Sequence, residues 1–201
     1  NTHFENACGL DAEGHLSTAR DVAMMSREIL LHHAEVRNYC SIWMDSLRDG
    51  ATQLVNTNKL LKTYNGITGL KTGTTSQAGV CISASAERNG LRLIAVVLGA
   101  DSGKERFAAA TALLDYGFAN YALVSTEMPE PLQPVPVTLG QKAAVQPELQ
   151  QAAPILIEKG LQAAVTRTVT LAERVEAPVA AGQQLGTLTI SANGATLAEI
   201  P

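Results

Sequence analysis

Hydrophobic and polar positions follow one pattern before a proline-rich stretch and another after it. Residues 18–33 and 103–121 carry apolar side chains at helical spacing, and between them lie short apolar runs bounded by turn residues. After residue 136 the helical spacing stops, and short apolar runs alternate with glycine-containing turns. The first part is therefore predicted to mix helices with strands, and the last part to be an all-β sandwich or barrel.

The first part is predicted to hold two hairpins on either side of a single strand. Strands at 39–47 and 52–55 are joined by Arg48-Asp49-Gly50, and strands at 79–87 and 91–99 by Arg88-Asn89-Gly90. A short helix within 56–64 is predicted to end at Asn65-Gly66 and lead into a strand through residue 71. Ser17 is the predicted N-cap of the first helix.

Both long helices are predicted to pack on a core. The core-facing residues expected in the first helix are Val22, Met24, Met25, Ile29 and Leu30, and those in the second are Phe107, Ala110, Leu113, Leu114 and Phe118.

Four prolines between 129 and 136 favour a stiff connector. The predicted domains are therefore residues 1–122, a linker at 123–136, and a β domain at 137–201.

Composition excludes several classes of function. Of the 201 residues, 46% are hydrophobic, which is enough for a buried core, and the net charge of −4 argues against a nucleic-acid partner. The longest apolar runs have the length of a strand, so none is expected to span a bilayer. The opening Asn1-Thr2-His3 has neither an initiator Met nor a leader, so we expect further sequence upstream.

The cysteines and histidines give weaker signals. Cys8, Cys40 and Cys81 lack the spacing of a zinc site, so they are predicted to be three buried thiols, with one disulfide plus a free thiol as the alternative. His32 and His33 fall in the last turn of the first helix, where a cation complements the helix dipole. No metal or organic cofactor is predicted.

The most informative stretch runs from Gly69 to Gly79 and contains Lys71-Thr72-Gly73. It combines a cation and hydroxyls with glycines that allow another backbone to approach a strand closely. We expect a peptide to bind alongside such a strand. This stretch is therefore predicted to form one wall of an active site.

This stretch and its surroundings resemble the low-molecular-weight penicillin-binding proteins, which are serine-type D-alanyl-D-alanine carboxypeptidases of peptidase family S11. The residues that carry the resemblance are 2–6, Gly9-Leu10-Asp11, 17–21, 66–75, 95–100, and 177–179 through 186–188. The resemblance implies an α+β fold: the C-terminal part of a β-lactamase/transpeptidase-like domain, with helices on an antiparallel sheet, followed by a small all-β sandwich-like domain.

In that family, a serine in a Ser-x-x-Lys motif attacks the bond between two D-alanines and forms an acyl-enzyme. These 201 residues contain no Ser-x-x-Lys, so the resemblance implies a nucleophile upstream and an inactive chain without it. The second family motif, Ser-x-Asn, occurs only at Ser191-Ala192-Asn193, where a hairpin turn is the preferred interpretation.

The resemblance assigns roles to five residues. Lys71 supplies positive potential and tunes proton transfer, Thr72 offers its hydroxyl to the substrate carboxylate, and Gly73 keeps the strand edge clear. The backbone N–H of Thr74 is one oxyanion-hole donor, and Arg106 assists carboxylate binding. The alternatives are a solvated strand-edge Lys71 and a surface ion pair of Arg106 with Asp101 or Glu105.

The implied partners are a peptidoglycan pentapeptide as substrate, β-lactams as inhibitors, and the N-terminal half of the same protein. The implied location is extracytoplasmic, after secretion by an upstream signal peptide, with possible membrane attachment beyond Pro201. The alternatives are a serine β-lactamase, disfavoured by the predicted β domain, and a non-catalytic binding or scaffold module of cell-wall synthesis.

Overall fold

The chain forms two structural units, Asn1–Ala119 and Asn120–Pro201, and the computed structural model describes all residues 1–201. The first unit is α+β and the second is all-β apart from one short 3₁₀ helix, so the predicted fold class is confirmed. The second unit begins with strand residues at Tyr121, and another strand begins at Val135, so both ends of the predicted 123–136 linker are strand. Tyr121–Val124 pairs with Ile155–Glu158, which draws the start of the predicted linker into the second unit.

The helices of the first unit are α1 (Ala19–His32), α2 (Val36–Cys40), α3 (Leu60–Thr63) and α4 (Gly103–Asn120). Its strands are β1 (Met44–Leu47), β2 (Thr52–Val55), β3 (Ile67–Thr75), β4 (Gly79–Arg88) and β5 (Leu91–Ala100). Strands β3, β4 and β5 form one antiparallel sheet in that order, and β1 pairs with β2 as a separate hairpin.

Both predicted hairpins are confirmed. The β1–β2 turn has positive φ at Arg48, Asp49 and Gly50, and the β4–β5 turn has positive φ at Asn89 and Gly90. Asn, Asp and Gly tolerate this region best, which is why these turns could be predicted. The strand predicted at 39–47 is wrong over its first half, because Tyr39 and Cys40 end helix α2 and β1 begins at Met44.

The cap of α1 is Thr18, not Ser17. The Thr18 side chain accepts a hydrogen bond from the backbone N–H of Asp21 at 3.1 Å, as an N-cap residue should. The Ser17 hydroxyl lies 3.0 Å from that of Thr2 and is therefore engaged elsewhere.

The core of the first unit lies between the sheet and α4. It is formed by buried residues of α3, β4, β5 and α4, namely Leu60, Ile82, Ala84, Ala86, Ala95, Ala110 and Leu114. Phe107 and Phe118 pack against it as predicted, whereas Leu113 is half exposed. On α1 only Ser26 and Leu30 are buried, so the prediction that its two methionines and Ile29 face a core is wrong.

The strands of the second unit are β6 (Tyr121–Val124), β7 (Val135–Thr138), β8 (Ala144–Val145), β9 (Ile155–Glu158), β10 (Val165–Leu171), β11 (Val175–Glu176), β12 (Gly186–Ala192) and β13 (Ala195–Ile200). They form three small sheets, β10-β12-β13, β11-β7-β8 and β6-β9, and only the β7–β11 pair is parallel. The 3₁₀ helix covers Lys159–Ala164. The core is aliphatic and contains Val124, Ile157, Leu188, Ile190 and Ile200.

Candidate active site

The Lys-Thr-Gly residues lie on β3, which is an edge strand of the three-stranded sheet. Side chains alternate along a strand, so Lys71 and Thr72 point to opposite faces. Lys71 shares a face with Ser83 and Thr72 shares one with Ile82, because these pairs lie opposite each other in the β3–β4 register. An edge strand can accept an extended peptide alongside it, which makes β3 accessible in the way the sequence predicted.

The ammonium of Lys71 folds back onto its own strand. The side chain is exposed, and Nζ donates a hydrogen bond to the backbone carbonyl of Thr72. Gly73 leaves the adjacent edge open, since a Cβ at this position would meet no atom within 4 Å. Thr74, the next residue, is exposed.

Thr72 is buried, with 8% of its surface exposed, and its hydroxyl contacts a loop that precedes α3. Thr72 Oγ1 lies 2.5 Å from Thr57 Oγ1. The neighbouring Asn58 is also buried, and its Nδ2 donates to the carbonyl of Gly69 at 3.1 Å. Two consecutive loop residues therefore hold β3, one at Thr72 and one at Gly69.

Arg106 is brought to the same strand from the first turns of α4. Its Nη1 donates to the carbonyls of Gly73 at 3.5 Å and Cys81 at 3.1 Å, and its guanidinium lies over the ring of Phe107. Only 7% of Arg106 is exposed, and burial lowers its pKa from the ordinary value. The predicted alternative, a surface ion pair with Asp101 or Glu105, is wrong, because the side chain turns into the sheet instead.

The buried guanidinium keeps one unused donor. Nε of Arg106 is buried and has no hydrogen-bond partner. A cation with an unsatisfied donor beside an open strand edge is suited to an anionic ligand, because burying an unpaired donor is costly.

Sequence reasoning did not assign a role to Asp11, which holds the turn at the end of β3. Asp11 Oδ2 accepts hydrogen bonds from the hydroxyl of Ser76 at 3.0 Å and the N–H of Gln77 at 3.4 Å. These bonds, and first of all one with the Thr75 hydroxyl, lower the pKa of Asp11 below its ordinary value of 3.8. The sequence signal for Asp11 is Gly9-Leu10-Asp11, one of the segments that carry the family resemblance.

A buried hydroxyl pair fixes α1 against the face of the sheet that carries Lys71. Ser26 Oγ lies 2.7 Å from Ser83 Oγ, and both residues are less than a tenth exposed. Since Ser83 is opposite Lys71 in the register, this contact sets the position of α1 next to the lysine.

The other sequence candidates belong to other elements of the chain. Asn193 and Gly194 both have positive φ in the β12–β13 hairpin, so the turn interpretation of Ser191-Ala192-Asn193 is confirmed. His32 pairs with Glu28 at 3.4 Å and His33 with Glu35 at 3.7 Å, so the two rings do not converge.

The three cysteines are free thiols, so the disulfide alternative is wrong. The prediction of three buried thiols is also wrong for Cys8, which is exposed. Cys40 packs behind β3, where its Sγ would lie 2.5 Å from a Cβ placed on Gly69. Burial raises the pKa of the Cys40 thiol.

Two family models match the chain. Residues 1–102 match "D-alanyl-D-alanine carboxypeptidase", and residues 127–201 match "Penicillin-binding protein 5, C-terminal domain". The first match includes β3, and the second includes the all-β unit from residue 127 onward.

Curated relatives align over the whole chain. The D-alanyl-D-alanine carboxypeptidase DacF of Bacillus subtilis is 37% identical over 206 residues, which is 100% of this chain and 53% of the relative. DacC of Escherichia coli is 33% identical over 204 residues, again 100% of this chain and 50% of the relative. The chain spans about half the length of the curated relatives it matches.

Solved structures give the same picture. Penicillin-binding protein 5 from Haemophilus influenzae is similar with a TM-score of 0.66 and 32% identity, over 99% of this chain and 58% of that one. Penicillin-binding protein D2 from Listeria monocytogenes, in its cefotaxime-bound form, has a TM-score of 0.54 and 38% identity over 58% of this chain and 48% of that one.

Proposed function

We propose, because this chain belongs to the D-alanyl-D-alanine carboxypeptidase family, that it forms the Lys-Thr-Gly side of an enzyme that removes the terminal D-alanine from peptidoglycan stem peptides. The observation that carries the proposal is the arrangement on β3. Lys71, Thr72 and Gly73 lie on an open strand edge, and the buried cation of Arg106 is held against the carbonyl of Gly73.

The roles proposed for these residues follow from their chemistry. The substrate ends in a carboxylate, and Lys71 and Arg106 supply the positive potential that holds it. The Thr72 hydroxyl donates to that carboxylate, Gly73 leaves room for the peptide, and the N–H of Thr74 donates to the developing oxyanion. Arg106 already holds two backbone carbonyls, so it both shapes the edge of β3 and presents its charge there.

The nucleophile is proposed to lie in sequence of the same protein outside these 201 residues, because no Ser-x-x-Lys occurs within them. The side of the first unit around α1 and β5 favours such a complement. β5 is the second edge of the sheet, and α1 leaves Met24, Met25, Ile29 and Leu31 more than a third exposed. Long apolar edges and exposed apolar helices are ordinarily covered, and we propose that the N-terminal half covers them.

The partners follow from this function. The substrate is the peptidoglycan pentapeptide, and β-lactams are inhibitors because they acylate the same serine. Peptidoglycan is extracytoplasmic, so we place the protein there, secreted by an upstream signal peptide. None of the helices has both the length and the apolar character needed to cross a membrane.

Each unit provides an argument against one of the two alternatives. The match of the second unit to the C-terminal domain of penicillin-binding protein 5 is a feature not expected of a serine β-lactamase. A purely structural module would not need a buried arginine with an unused donor beside an open strand.

Covalent labelling with a fluorescent penicillin tests the proposal. The 201-residue chain should not be labelled, whereas the longer protein that includes the Ser-x-x-Lys segment should be. In the longer protein, Lys71→Ala should abolish labelling, because the site loses both its charge and its proton-transfer partner. Exposed Lys104 on α4 provides the control, and Lys104→Ala should label normally.

Near-normal labelling of Lys71→Ala would refute the role given to this lysine. Labelling of the short chain would show that the nucleophile lies within the 201 residues. Circular dichroism of each variant separates loss of chemistry from loss of fold.

A further inference from the structure

The loop at residues 56–58 contacts β3 at Gly69 and at Thr72. Asn58 is 2% exposed, its Nδ2 donates to the carbonyl of Gly69, and its Oδ1 accepts the N–H of Leu60 at 3.2 Å. Asn56 Oδ1 accepts the N–H of Asn58 at 2.9 Å, so the loop is also tied to itself. The residue between the two asparagines is therefore held in a defined position.

That residue is Thr57, and its hydroxyl meets the hydroxyl of Thr72 at 2.5 Å. Thr72 is buried while Thr57 is exposed, so the pair connects the strand to the loop surface. On the other side of the loop, Asn56 Nδ2 donates hydrogen bonds to the backbone carbonyls of Cys40 and Ile42. These bonds further limit the freedom of the loop.

The direction of this hydrogen bond decides what Thr72 can do. A hydroxyl has one hydrogen to donate, whereas a carboxylate only accepts. If Thr72 donated to Thr57, it would have no hydrogen left for a substrate carboxylate. If Thr57 donates, the lone pair of Thr72 is satisfied and its hydrogen is free to point to the ligand.

We infer that Thr57 is a positioning residue that donates its hydroxyl hydrogen to Thr72 and so directs the Thr72 hydrogen toward the substrate carboxylate. The inference rests on the proposed function, because it assumes that Thr72 binds that carboxylate. It adds a determinant of specificity for a free acid, located 15 residues before Thr72 in the sequence. Thr57 acts through Thr72 and does not itself contact the reacting atoms.

Acylation rates of the full-length protein test the inference. We compare Thr57→Val, Thr57→Ser and wild type with benzylpenicillin and with its methyl ester, which lacks the carboxylate. Thr57→Val should slow acylation by benzylpenicillin about five-fold, the equivalent of one ordinary hydrogen bond, and acylation by the ester less than two-fold. Thr57→Ser keeps the hydroxyl and should restore the wild-type rate.

A control on the neighbouring helix separates this effect from general loss of a surface hydroxyl. Thr63 is exposed on α3 and bonds only to the carbonyl of Lys59 at 3.3 Å, so Thr63→Val should leave both rates unchanged. Equal slowing with acid and ester in Thr57→Val would indicate a merely structural role and overturn the inference.

Thr72→Val, alone and combined with Thr57→Val, distinguishes this inference from the proposal on which it depends. If Thr72→Val slows benzylpenicillin and Thr57→Val adds nothing to it, the two hydroxyls act in series as inferred. If Thr72→Val is acylated slowly by benzylpenicillin and Thr57→Val is acylated at the wild-type rate, only the positioning role fails. If Thr72→Val itself is acylated at the wild-type rate, Thr72 does not bind the carboxylate and the inference fails as well.

Discussion

The two units of the chain differ in what they bury. Of the seven buried polar residues, Ser26, Asn58, Thr72, Ser83, Ser85 and Arg106 lie in the first unit, and only Thr126 lies in the second. All six of these lie on β3 or β4 or bond to one of these strands. The second unit instead encloses an aliphatic core of Val, Leu and Ile.

This difference supports the proposal that the first unit carries the chemistry. Burying polar groups costs free energy unless each finds a partner, so a cluster of them is expected where a site needs donors in fixed positions. An aliphatic core contributes stability alone. The first unit is thus organised around the Lys-Thr-Gly strand, while the second has the composition of a structural domain.

The largest effect is expected when the same substitution is made in the cores of both units. Ile82 on β4 and Ile190 on β12 are each about 1% exposed or less, so Ile82→Ala and Ile190→Ala should each cost about 2–5 kcal/mol of unfolding free energy. Only Ile82→Ala should also slow penicillin acylation of the full-length protein, because Ile82 lies opposite Thr72.

Denaturant unfolding and acylation rates measured on the same samples give both quantities. Slow acylation in folded Ile190→Ala protein would mean that the second unit takes part in the chemistry, contrary to the comparison.

A smaller test removes one buried hydroxyl from each unit. Ser83→Ala breaks the contact with Ser26, and Thr126→Val breaks the 2.7 Å bond from Thr126 Oγ1 to the carbonyl of Ala152. Each should cost about 1 kcal/mol of stability, the usual net value of a hydrogen bond. Acylation should slow in Ser83→Ala only, since this residue positions α1 beside Lys71.

The two variants serve as controls for each other, and thermal melting together with acylation rates compares them. Equal acylation by both would show that the polar cluster of the first unit is structural.

The smallest expected effect concerns Asp11 and pH. The pKa of Asp11 is lowered in the folded protein, so the unfolded chain binds the proton more tightly. The ionised carboxylate therefore stabilises the folded protein at pH values above 3.8, its ordinary pKa. That contribution should be lost as pH falls below 3.8 and through the lowered pKa. Hydrogen exchange of the Gln77 amide should therefore become faster, relative to unrestrained amides, at acid pH in wild type.

Asp11→Asn is the matched variant, because it keeps the shape of the side chain without the charge. Its relative protection of Gln77 should not change over the same pH range. Identical pH profiles of Gln77 exchange in wild type and Asp11→Asn would show that the Asp11 carboxylate does not hold this turn.

Most elements followed from local sequence, and the errors have local causes too. The Asp-Gly and Asn-Gly turns were predictable because few other residues tolerate positive φ. The error at Tyr39 and Cys40 arose because a five-residue helix is too short to show periodicity. The exposure of Met25 and Ile29 was missed because periodicity identifies an apolar face but does not say what covers it.

The sequence by itself determined the α+β and all-β division, the strand that carries Lys71-Thr72-Gly73 and the family, because periodicity, turn residues and motifs are short-range properties. Only the tertiary structure decided how that strand is held. The bonds of Arg106 to Gly73, of Ser26 to Ser83 and of Asp11 to Gln77 join residues 33, 57 and 66 positions apart. Such contacts depend on how helices and loops pack on the sheet, and no local pattern encodes which donor meets which acceptor across that distance.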